Sequence, residues 1–458
     1  MSSDSLIGDA PISIAGGGPT GALLAILLSA RGQSRIDLFE SRPDPRLSQA
    51  QSGRSINLAL ADRGIHALKA AGVFERLGTS LLPMRGRCIH VDAGTTFQPY
   101  GQRPNEVNYS ISRLKLNQGL IDIAADLAGI RLHFEHRLEA VDFGSSLASI
   151  RDLRANRTLE VAMQPLLACD GAGSTMRRRM REARIIAAEE VDLDHGYKEL
   201  SIPAAANGAS AFAADALHIW PRGNFMLIAL PNEDSSLTAT LFLPKRGNPS
   251  FESLRDADAI ERFLSHHFPD ARAAMPDCVA EFKAHPAGLL GSVAAAPWHA
   301  SGQALLIGDA AHAMVPFHGQ GMNCCFEDCI EFDHCAARHS SWEAAFDAFG
   351  AARKPNTDAI TAMALENYLE MRAHVADPKF QLQQALSLEL ERRFPRRFIP
   401  RYSMVMHHHE IPYRTAQQRG SIQAEILQDL TADAVTSLAQ VDFGRAEREI
   451  TARLEPLR

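Results

Sequence analysis

Hydrophobic positions near the start of the chain follow the pattern of a βαβ unit. Ile12–Ala15 and residues 36–39 are short apolar runs typical of buried strands, and residues 20–30 between them have the apolar pattern of a buried helix. Two later runs, LLACDG at 166–171 and ALLIGDAAHAM at 304–314, also lead from a strand pattern into a helix. The pattern predicts one parallel sheet built from segments that lie far apart in the sequence.

Two further stretches have different patterns. Residues 196–294 contain alternating and aromatic-rich runs, with turns at RGN (222–224) and NEDSS (232–236). These runs predict an inserted antiparallel sheet that covers one face of a pocket. From about residue 335 the pattern is helical to the C-terminus, except for a predicted loop at 395–413.

Composition excludes several classes of function. The chain has 458 residues and a mass of 50.0 kDa, which is enough for two or three domains, and its net charge of −7 gives no general attraction to nucleic acid. The N-terminus lacks the basic and apolar regions of a secretory signal, and its longest apolar stretch is too short to cross a bilayer. We therefore expect a cytoplasmic protein with no membrane anchor and no nucleic-acid partner.

Neither the cysteines nor a histidine run predicts a metal site. Cys324, Cys325 and Cys329 lie in one predicted helix, and their spacing matches no zinc or disulfide framework, so reduced core thiols are expected. The run HHH at 407–409 is predicted to lie on an extended segment, where consecutive side chains point to opposite faces. No metal is expected.

A glycine turn follows the first strand. In GGGPTG the glycines have the GxGxxG spacing: Gly16 permits a tight turn, Gly18 lets the backbone approach a pyrophosphate, and Gly21 lets helix and strand pack closely. Glu40 ends the next strand, where its carboxylate can accept hydrogen bonds from a ribose. These residues predict dinucleotide binding and leave FAD and NAD as alternatives.

Two later motifs resemble those of the flavoprotein aromatic hydroxylases, single-component monooxygenases with a para-hydroxybenzoate hydroxylase type of fold. CDGAGSTMRR (169–178) is similar to their DG motif, which places Asp170 and Gly171 beside the dinucleotide. IGDAAHAMVPFHGQGMN (307–323) is similar to their GD motif, in which Asp309 reaches the ribityl chain. The resemblance implies non-covalently bound FAD.

The GD stretch also has a physical basis of its own. Pro316, Gly319 and Gly321 free the backbone to approach a flat ring. A helix that begins near Gly321 or Met322 and continues through Asn323 directs its positive end toward that ring. Such a helix end helps the N1 and C2 carbonyl region of a reduced flavin carry negative charge.

Longer blocks narrow the resemblance to the kynurenine 3-monooxygenase family and extend over about residues 12–415. They are RPDPR (42–46), GRSINLALADRG (53–64), MRGRCIH (84–90), QPYG (98–101), HGYKEL (195–200), ALHIWPRG (216–223), MVPFHGQGMNC (314–324), MALENYLEM (363–371) and RFIPRYSMV (397–405). This resemblance implies an FAD-dependent hydroxylation of L-kynurenine to 3-hydroxykynurenine with NADPH and O2, through a flavin C4a-hydroperoxide.

Two alternatives stay open. NEVNYSIS (105–112) departs from the family pattern, so the same chemistry on a ring-substituted kynurenine or a related aryl amino acid is the alternative among enzymes. A flavin-binding protein whose redox state gates a partner is the alternative from another class.

The resemblance also assigns residues to the substrate. Arg87, Tyr100, Asn367 and Tyr402 would hold its α-amino acid end, since a guanidinium with hydroxyl and amide donors binds a carboxylate best. An apolar slot for the ring, with Glu370 in support, would be lined by Met226, Ile228, Phe242, Pro316, Phe317 and Met371. For any single one of these residues, an ordinary surface or core position is the alternative.

The loop that faces the ring would carry the catalytic residues Phe317, His318 and Gln320. Three roles stay open for His318: it holds the substrate carbonyl, it positions an oxygen intermediate, or it is a structural histidine bonded to the backbone. Arg113 resembles a family arginine that lies along the FAD, and Arg42 lies where it can touch adenosine or incoming NADPH.

The predicted fold is α/β, with a Rossmann-like FAD-binding domain of the GR2 type, an inserted antiparallel β-sheet substrate domain and a C-terminal helical domain. The predicted boundaries are 1–75, 102–195 and 295–375 for the first, 76–101 and 196–294 for the second, and 376–458 for the third. A monomer or homodimer that acts on a small-molecule substrate is expected.

Overall fold

A computed structural model describes residues 6–47, 57–375, 377–432 and 435–457. Its strands are β1 (Ile12–Ala15), β2 (Ile36–Glu40), β3 (Asn57–Leu60), β4 (Leu82–Met84), β5 (Gly86–Val91), β6 (Gly94–Pro99), β7 (Asn108–Ser112), β8 (Ile130–Phe134), β9 (His136–Asp142), β10 (Leu147–Asp152), β11 (Arg157–Ala162), β12 (Leu166–Ala168), β13 (Ala187–Ile202), β14 (Ala216–Pro221), β15 (Met226–Pro231), β16 (Leu237–Pro244), β17 (Gly288–Ala296), β18 (His299–Ala300) and β19 (Ala304–Leu306). Its helices are α1 (Pro19–Ala30), α2 (Asp62–Ala70), α3 (Phe74–Leu77), α4 (Arg113–Ala125), α5 (Thr175–Glu182), α6 (Ala257–His267), α7 (Pro269–Ala273), α8 (Cys278–Ala284), α9 (Asp309–His312), α10 (Gly321–Arg338), α11 (Trp342–Leu369), α12 (Pro378–Arg393), α13 (Arg401–His407), α14 (Tyr413–Leu430) and α15 (Phe443–Arg453).

The chain forms two compact units. Unit 1 comprises residues 1–81, 111–192 and 291–361, and unit 2 comprises residues 82–110, 193–290 and 362–458. The C-terminal helices belong to the same unit as the inserted sheet. The predicted division into three domains, with its boundaries, stays a prediction. The roles predicted for the individual domains stay predictions.

Unit 1 contains the predicted parallel sheet. Its six strands have the order β18-β19-β12-β1-β2-β8, and all but the edge strand β18 run parallel. The βαβ prediction is confirmed: α1 begins with Pro19 at its first turn, is buried from Gly21 to Leu28, and connects the parallel neighbours β1 and β2. The carboxyl ends of five parallel strands therefore meet at one edge of the sheet, where open α/β sheets bind ligands.

Unit 2 is built around a sheet with the order β17-β13-β16-β15-β14-β5-β6. β5 and β14 are parallel, and β13, β16, β15 and β14 are antiparallel neighbours, as the alternating pattern predicted. One face of the sheet packs against α6–α8 in an apolar core that includes Trp220, Leu227 and Leu241. A second apolar core joins the C-terminal helices and includes Leu390 and Ile426.

Two parts of unit 2 differ from the sequence prediction. Helices α6, α7 and α8 lie in a stretch that was predicted as sheet, and α13 lies in the predicted loop at 395–413. His407 therefore ends a helix and does not lie on an extended segment. None of the helices in the described parts of the chain has both the length and the apolar composition needed to cross a bilayer.

Candidate active site

A cavity of about 380 Å³ lies at the carboxyl edge of the parallel sheet in unit 1. It brings together eight of the residues that the sequence assigned to the cofactor, namely Gly16, Gly18, Glu40, Arg42, Arg113, Asp170, Gly171 and Asp309. They come from the ends of β1, β2, β12 and β19 and from the start of α4. The strand ends of one sheet thus bring together residues that lie up to 293 positions apart in the sequence, from Gly16 to Asp309.

The three glycines of the first turn have different surroundings. Gly16 has φ +108°, and a Cβ there would lie 2.2 Å from the Cys169 carbonyl oxygen. A Cβ on Gly21 would lie 2.0 Å from the Gly16 carbonyl oxygen. Gly18 has no described atom within 4 Å of such a Cβ and lines the cavity, so its open side leaves room for a phosphate group close to the backbone.

Glu40 presents a buried carboxylate to this cavity. It accepts hydrogen bonds from the Gly17 backbone N–H at 2.8 Å and from the Arg42 backbone N–H and Nε at 2.8 and 2.9 Å. Burial alone would raise the pKa of Glu40, but the Arg42 side chain and these backbone donors outweigh it and hold that pKa below its ordinary value. The group is therefore an ionised acceptor at neutral pH.

Asp170 supplies a second acceptor. Its Oδ2 accepts hydrogen bonds from the Thr175 and Met176 backbone N–H groups at 2.7 and 3.2 Å, at the start of α5. Its buried Oδ1 has no hydrogen-bond partner within the described residues. Burial raises the pKa of Asp170, although Ser174 and the backbone donors oppose the shift. An orphaned buried oxygen in the cavity wall and an open glycine turn fit FAD, which brings hydroxyl donors and a pyrophosphate.

The turn after β19 is held by a residue that the sequence analysis missed. Asp328 on α10 is fully buried and accepts hydrogen bonds from the Gly308 backbone N–H at 3.1 Å, His312 Nε2 at 2.6 Å and Arg353 Nε at 2.7 Å. Burial would raise the pKa of Asp328, but His312 and Arg353 outweigh it and lower that pKa. Gly308 has φ +66° and directly precedes Asp309, so Asp328 fixes the backbone that presents Asp309 to the cavity.

The loop before α10 is held from within unit 1. Helix α10 begins at Gly321, as predicted. The Asn323 side chain accepts a hydrogen bond from the Ala61 N–H and donates to the Ala59 and Gly319 carbonyl oxygens at 2.8–2.9 Å. The side chain of Asn323 therefore fixes the loop, and the cofactor contact predicted for Asn323 stays a prediction.

The remaining residues predicted for this loop are also in unit 1. Pro316, Phe317 and His318 form a 3-10 turn in which Phe317 and His318 are buried and Pro316 is exposed. Gln320 is fully buried and its carbonyl oxygen accepts the Cys324 N–H at 2.8 Å, while Met322 is half-buried. The catalytic role proposed for Phe317, His318 and Gln320 stays a prediction.

In unit 2, several of the predicted substrate residues lie on one face of the large sheet. Met226 pairs with Phe242, and Ile228 pairs with Ile219, which in turn pairs with Ile89. Directly paired residues share a face, so Met226, Ile228 and Phe242 lie opposite the core that contains α6–α8. Because side chains alternate along a strand, Arg87 lies on the same face as Ile89.

Arg87 forms a buried cluster with the two predicted tyrosines. Its Cζ lies 4.5 Å from the Tyr402 ring centroid and 5.7 Å from that of Tyr100, and the two rings stack at 5.5 Å. Arg87 is 9% exposed, and its Nε has no partner in the described part of the chain. Burial alone would lower the pKa of Arg87, but Tyr402, Tyr100 and Glu370 outweigh it and raise that pKa, so the guanidinium stays charged. Burial raises the pKa of Tyr100, so its hydroxyl stays protonated.

Asn367 and Met371 lie one helical turn apart, where α11 passes into a π-helical segment at Glu370–His374. Both side chains are buried, and Asn367 Nδ2 donates to Met371 Sδ at 3.3 Å. π-Helical segments within helices occur frequently at functional sites. The substrate contacts predicted for Asn367, Glu370 and Met371 stay predictions.

The structure adds residues that sequence reasoning did not name. His136 and Arg137 line the cavity directly after β8, and the carboxyl end of a parallel strand is a signal that would have identified them. In unit 2, Asn108 Nδ2 donates to the Tyr402 hydroxyl at 3.3 Å. No motif pointed to Asn108, because the contact joins a strand to a helix 294 residues away.

Comparison with known proteins agrees with this geometry. The model of the FAD binding domain family matches residues 9–360. A kynurenine 3-monooxygenase of Xanthomonas campestris pv. campestris (strain 8004) is 47% identical over 447 residues, which is 97% of each chain, and one of Stenotrophomonas maltophilia (strain K279a) is 46% identical over the same coverage. The chain belongs to the kynurenine 3-monooxygenase family. The α/β fold, the FAD-binding domain and the enzyme class predicted from the sequence are thereby confirmed, and this family member is an FAD-dependent monooxygenase.

This kynurenine 3-monooxygenase family member is also similar in fold to a solved structure. The tetrameric form of 2-methyl-3-hydroxypyridine-5-carboxylic acid oxygenase superimposes with a TM-score of 0.63 over 84% of this chain and 98% of that chain, at 19% identity. At that identity the likeness shows the fold alone.

Proposed function

We propose that this member of the kynurenine 3-monooxygenase family hydroxylates L-kynurenine to 3-hydroxykynurenine, with non-covalent FAD as cofactor and NADPH and O2 as co-substrates. When bound, FAD supplies the redox chemistry that draws electrons from NADPH and activates O2. The chain itself binds and orients the reactants and excludes water from them. No acid–base pair is required, since the amino group of the substrate already activates its ring.

The cavity of unit 1 would hold the FAD. The open side of Gly18 would accommodate the pyrophosphate, and the ionised Glu40 would accept a hydrogen bond from the adenosine ribose. Asp170 Oδ1 and Asp309 supply acceptors for further hydroxyl groups, and the exposed Arg113 adds positive charge at the wall. The supporting observation is that these groups already line one cavity.

The single observation that carries the substrate proposal is the buried cluster of Arg87, Tyr100 and Tyr402. A charged guanidinium beside two tyrosines, whose Nε has no partner within the described parts of the chain, suits a carboxylate. Met226 and Phe242 on the same sheet face offer apolar surface to an aromatic ring. An aryl amino acid combines these two chemical features.

Turnover with L-kynurenine tests the proposal directly. We expect NADPH consumption to accelerate when L-kynurenine is added and the product to carry one additional oxygen atom by mass spectrometry. Kynurenine recovered at unchanged mass from an FAD-loaded enzyme would contradict the substrate and leave the cofactor standing. A ring-substituted kynurenine that turns over faster than kynurenine itself would favour the alternative substrate.

A variant of the cluster provides the first site prediction. Arg87→Met removes a charged donor worth about 1.5–3 kcal/mol for each hydrogen bond, so we expect the Kd for L-kynurenine to rise by about 10–100-fold. Arg85→Met is the matched control, because Arg85 lies two residues earlier and is exposed. Equal kynurenine affinities of the Arg87 and Arg85 variants in an optical titration of the bound flavin would contradict the carboxylate role.

The finer expectations about location and assembly also belong to this proposal. A cytoplasmic location is part of the proposal. A monomer or homodimer is the proposed state, and light scattering coupled to size-exclusion chromatography measures it. A tetramer by that measurement would contradict it.

A further inference from the structure

Asn108 lies at the start of β7, in the part of unit 2 that also carries Arg87. Met84 of β4 pairs with Asn108 in antiparallel register. The Asn108 side chain is 1% exposed, and its Nδ2 donates to the Tyr402 hydroxyl at 3.3 Å. Its Oδ1 is also buried but has no hydrogen-bond partner among the residues that the structure describes.

A buried amide oxygen without a donor is unfavourable, because folding removes it from water and provides no replacement. An apolar residue of similar size would avoid this penalty. Ser110, two residues along the same strand, shows the ordinary arrangement, since its buried hydroxyl donates to the Pro231 carbonyl oxygen at 2.9 Å. The unsatisfied Oδ1 of Asn108 therefore points to a ligand that brings the missing donor.

The neighbouring cluster indicates what kind of donor this is. Tyr402 contacts both Asn108, through its hydroxyl, and the Arg87 guanidinium, through its ring. Among the described residues, the buried donor Arg87 Nε has no acceptor and the buried acceptor Asn108 Oδ1 has no donor. A ligand that satisfies both must present an anionic acceptor and a hydrogen-bond donor close together. The α-carboxylate and α-ammonium groups of an amino acid, carried by one carbon atom, have this arrangement.

We propose that Asn108 is a specificity-determining residue whose Oδ1 accepts a hydrogen bond from the α-ammonium group of the substrate. The inference rests on the proposed function, since it assumes that Arg87 takes the α-carboxylate. The aromatic amine of an aryl amino acid is several bonds away from that carboxylate, so the ammonium group is the donor within reach. Asn108 thus selects amino acids over carboxylic acids with the same aryl ketone.

The test compares two ligands that differ only in this group. L-Kynurenine and 3-(2-aminobenzoyl)propionic acid, which lacks the α-amino group, are titrated into the FAD-loaded enzyme, and binding is read from the flavin absorbance. We expect Asn108→Leu to weaken kynurenine binding by about 10–100-fold, as for the loss of a hydrogen bond to a charged group. Binding of the deaminated acid should change by less than about threefold, since it makes no such bond.

Two further variants separate recognition from support of the fold. Asn108→Ala, with a smaller side chain, should show the same ligand-specific loss, whereas the control Ser110→Ala should change both affinities by the same factor. The thermal midpoint of ligand-free Asn108→Leu should stay close to that of the wild type, because the substitution removes an unsatisfied oxygen as well as the hydrogen bond to Tyr402. Equal weakening of both ligands by Asn108→Leu and Asn108→Ala would overturn the proposal and assign Asn108 to the support of Tyr402.

The outcomes also separate this proposal from the proposed function. Wild-type enzyme that hydroxylates kynurenine but binds the deaminated acid equally well would overturn the role of Asn108 alone. Wild-type enzyme that binds neither ligand would overturn both proposals.

Discussion

The glycines of the first turn differ in the space available to an added side chain, and this difference leads to a prediction. A methyl group on Gly18 enters open cavity, so Gly18→Ala should leave the thermal midpoint of the apo-protein unchanged but lower FAD affinity by about tenfold or more, equivalent to ~1.4 kcal/mol. A methyl group on Gly21 meets the Gly16 carbonyl oxygen, so Gly21→Ala should destabilise the apo-protein by about 1–3 kcal/mol.

Fluorescence titration of FAD and thermal unfolding of the apo-protein measure the two effects separately. Gly21→Ala is the matched control, because it adds the same methyl group three residues away. If Gly18→Ala destabilised the apo-protein as much as Gly21→Ala, the open side of Gly18 would not be a cofactor surface.

At the scale of single residues, local motifs could be predicted from the sequence, whereas long-range contacts could not. The glycine spacing and Glu40 could be predicted because both belong to one βαβ unit, whose motif has a fixed spacing. The side-chain amide of Asn323 bonds to Ala59 and Ala61, more than 260 residues earlier, and no sequence pattern indicated this contact. The cofactor contact predicted for Asn323 stays a prediction. The orphaned Oδ1 of Asn108 depends on the tertiary surroundings of one atom, which no sequence pattern encodes.

Among the elements, α10 is coupled to the turn after β19 by one buried carboxylate. Asp328→Asn removes the charge that pairs with Arg353 and His312, and breaking a buried ion pair by removing one partner costs about 3–5 kcal/mol. We expect the thermal midpoint of the apo-protein to fall by roughly 6–15 °C. FAD affinity should fall as well, because Asp328 also holds the Gly308 N–H beside Asp309.

Asp358→Asn is the control for this effect. Asp358 pairs with Lys354 on the surface of α11, and its side chain is 55% exposed, so its loss should cost no more than about 1 kcal/mol. Equal thermal midpoints for the two variants, from scanning fluorimetry of the apo-proteins, would mean that the Asp328 network does not stabilise this turn.

The elements themselves were predictable in proportion to their length and periodicity. The α1 pattern was clear because most of its side chains are buried, and β14 to β16 were clear because they are largely apolar runs separated by turn residues. Helix α13 was missed because it has seven residues, starts directly after Pro400 and is stabilised by burial of Met404 and Met406 more than by its own periodicity. Helices α6–α8 were missed because the neighbouring strand patterns were extended across them.

For the whole molecule, carboxylates with lowered pKa values make stability depend on acidity. Three that are at least partly buried are Glu40 and Asp328 in unit 1 and Asp270 in unit 2. Each has a folded-state pKa below its unfolded value, so its contribution to stability is complete above the unfolded pKa of about 4 and is lost as the pH falls toward the folded value. The protein should therefore lose thermal stability steadily from pH 5 to pH 3.

Asp270 allows the sign of this effect to be tested in one variant. Burial alone would raise its pKa, but hydrogen bonds from His90 and Trp220 outweigh it and lower the pKa to about 2. Because the carboxylate is 45% exposed, solvent screening reduces its contribution at neutral pH to about 1 kcal/mol, or roughly 2–4 °C in the thermal midpoint. Asp270→Asn should therefore be less stable than the wild type at pH 7, and the difference should shrink as the pH falls from 4 to 2.

The control is Glu447→Gln, on the exposed side of α15, whose thermal midpoint should match that of the wild type across the range. Calorimetric midpoints measured over that range decide the matter: a difference for Asp270→Asn that grows on acidification would show that this carboxylate is not stabilised in its charged form.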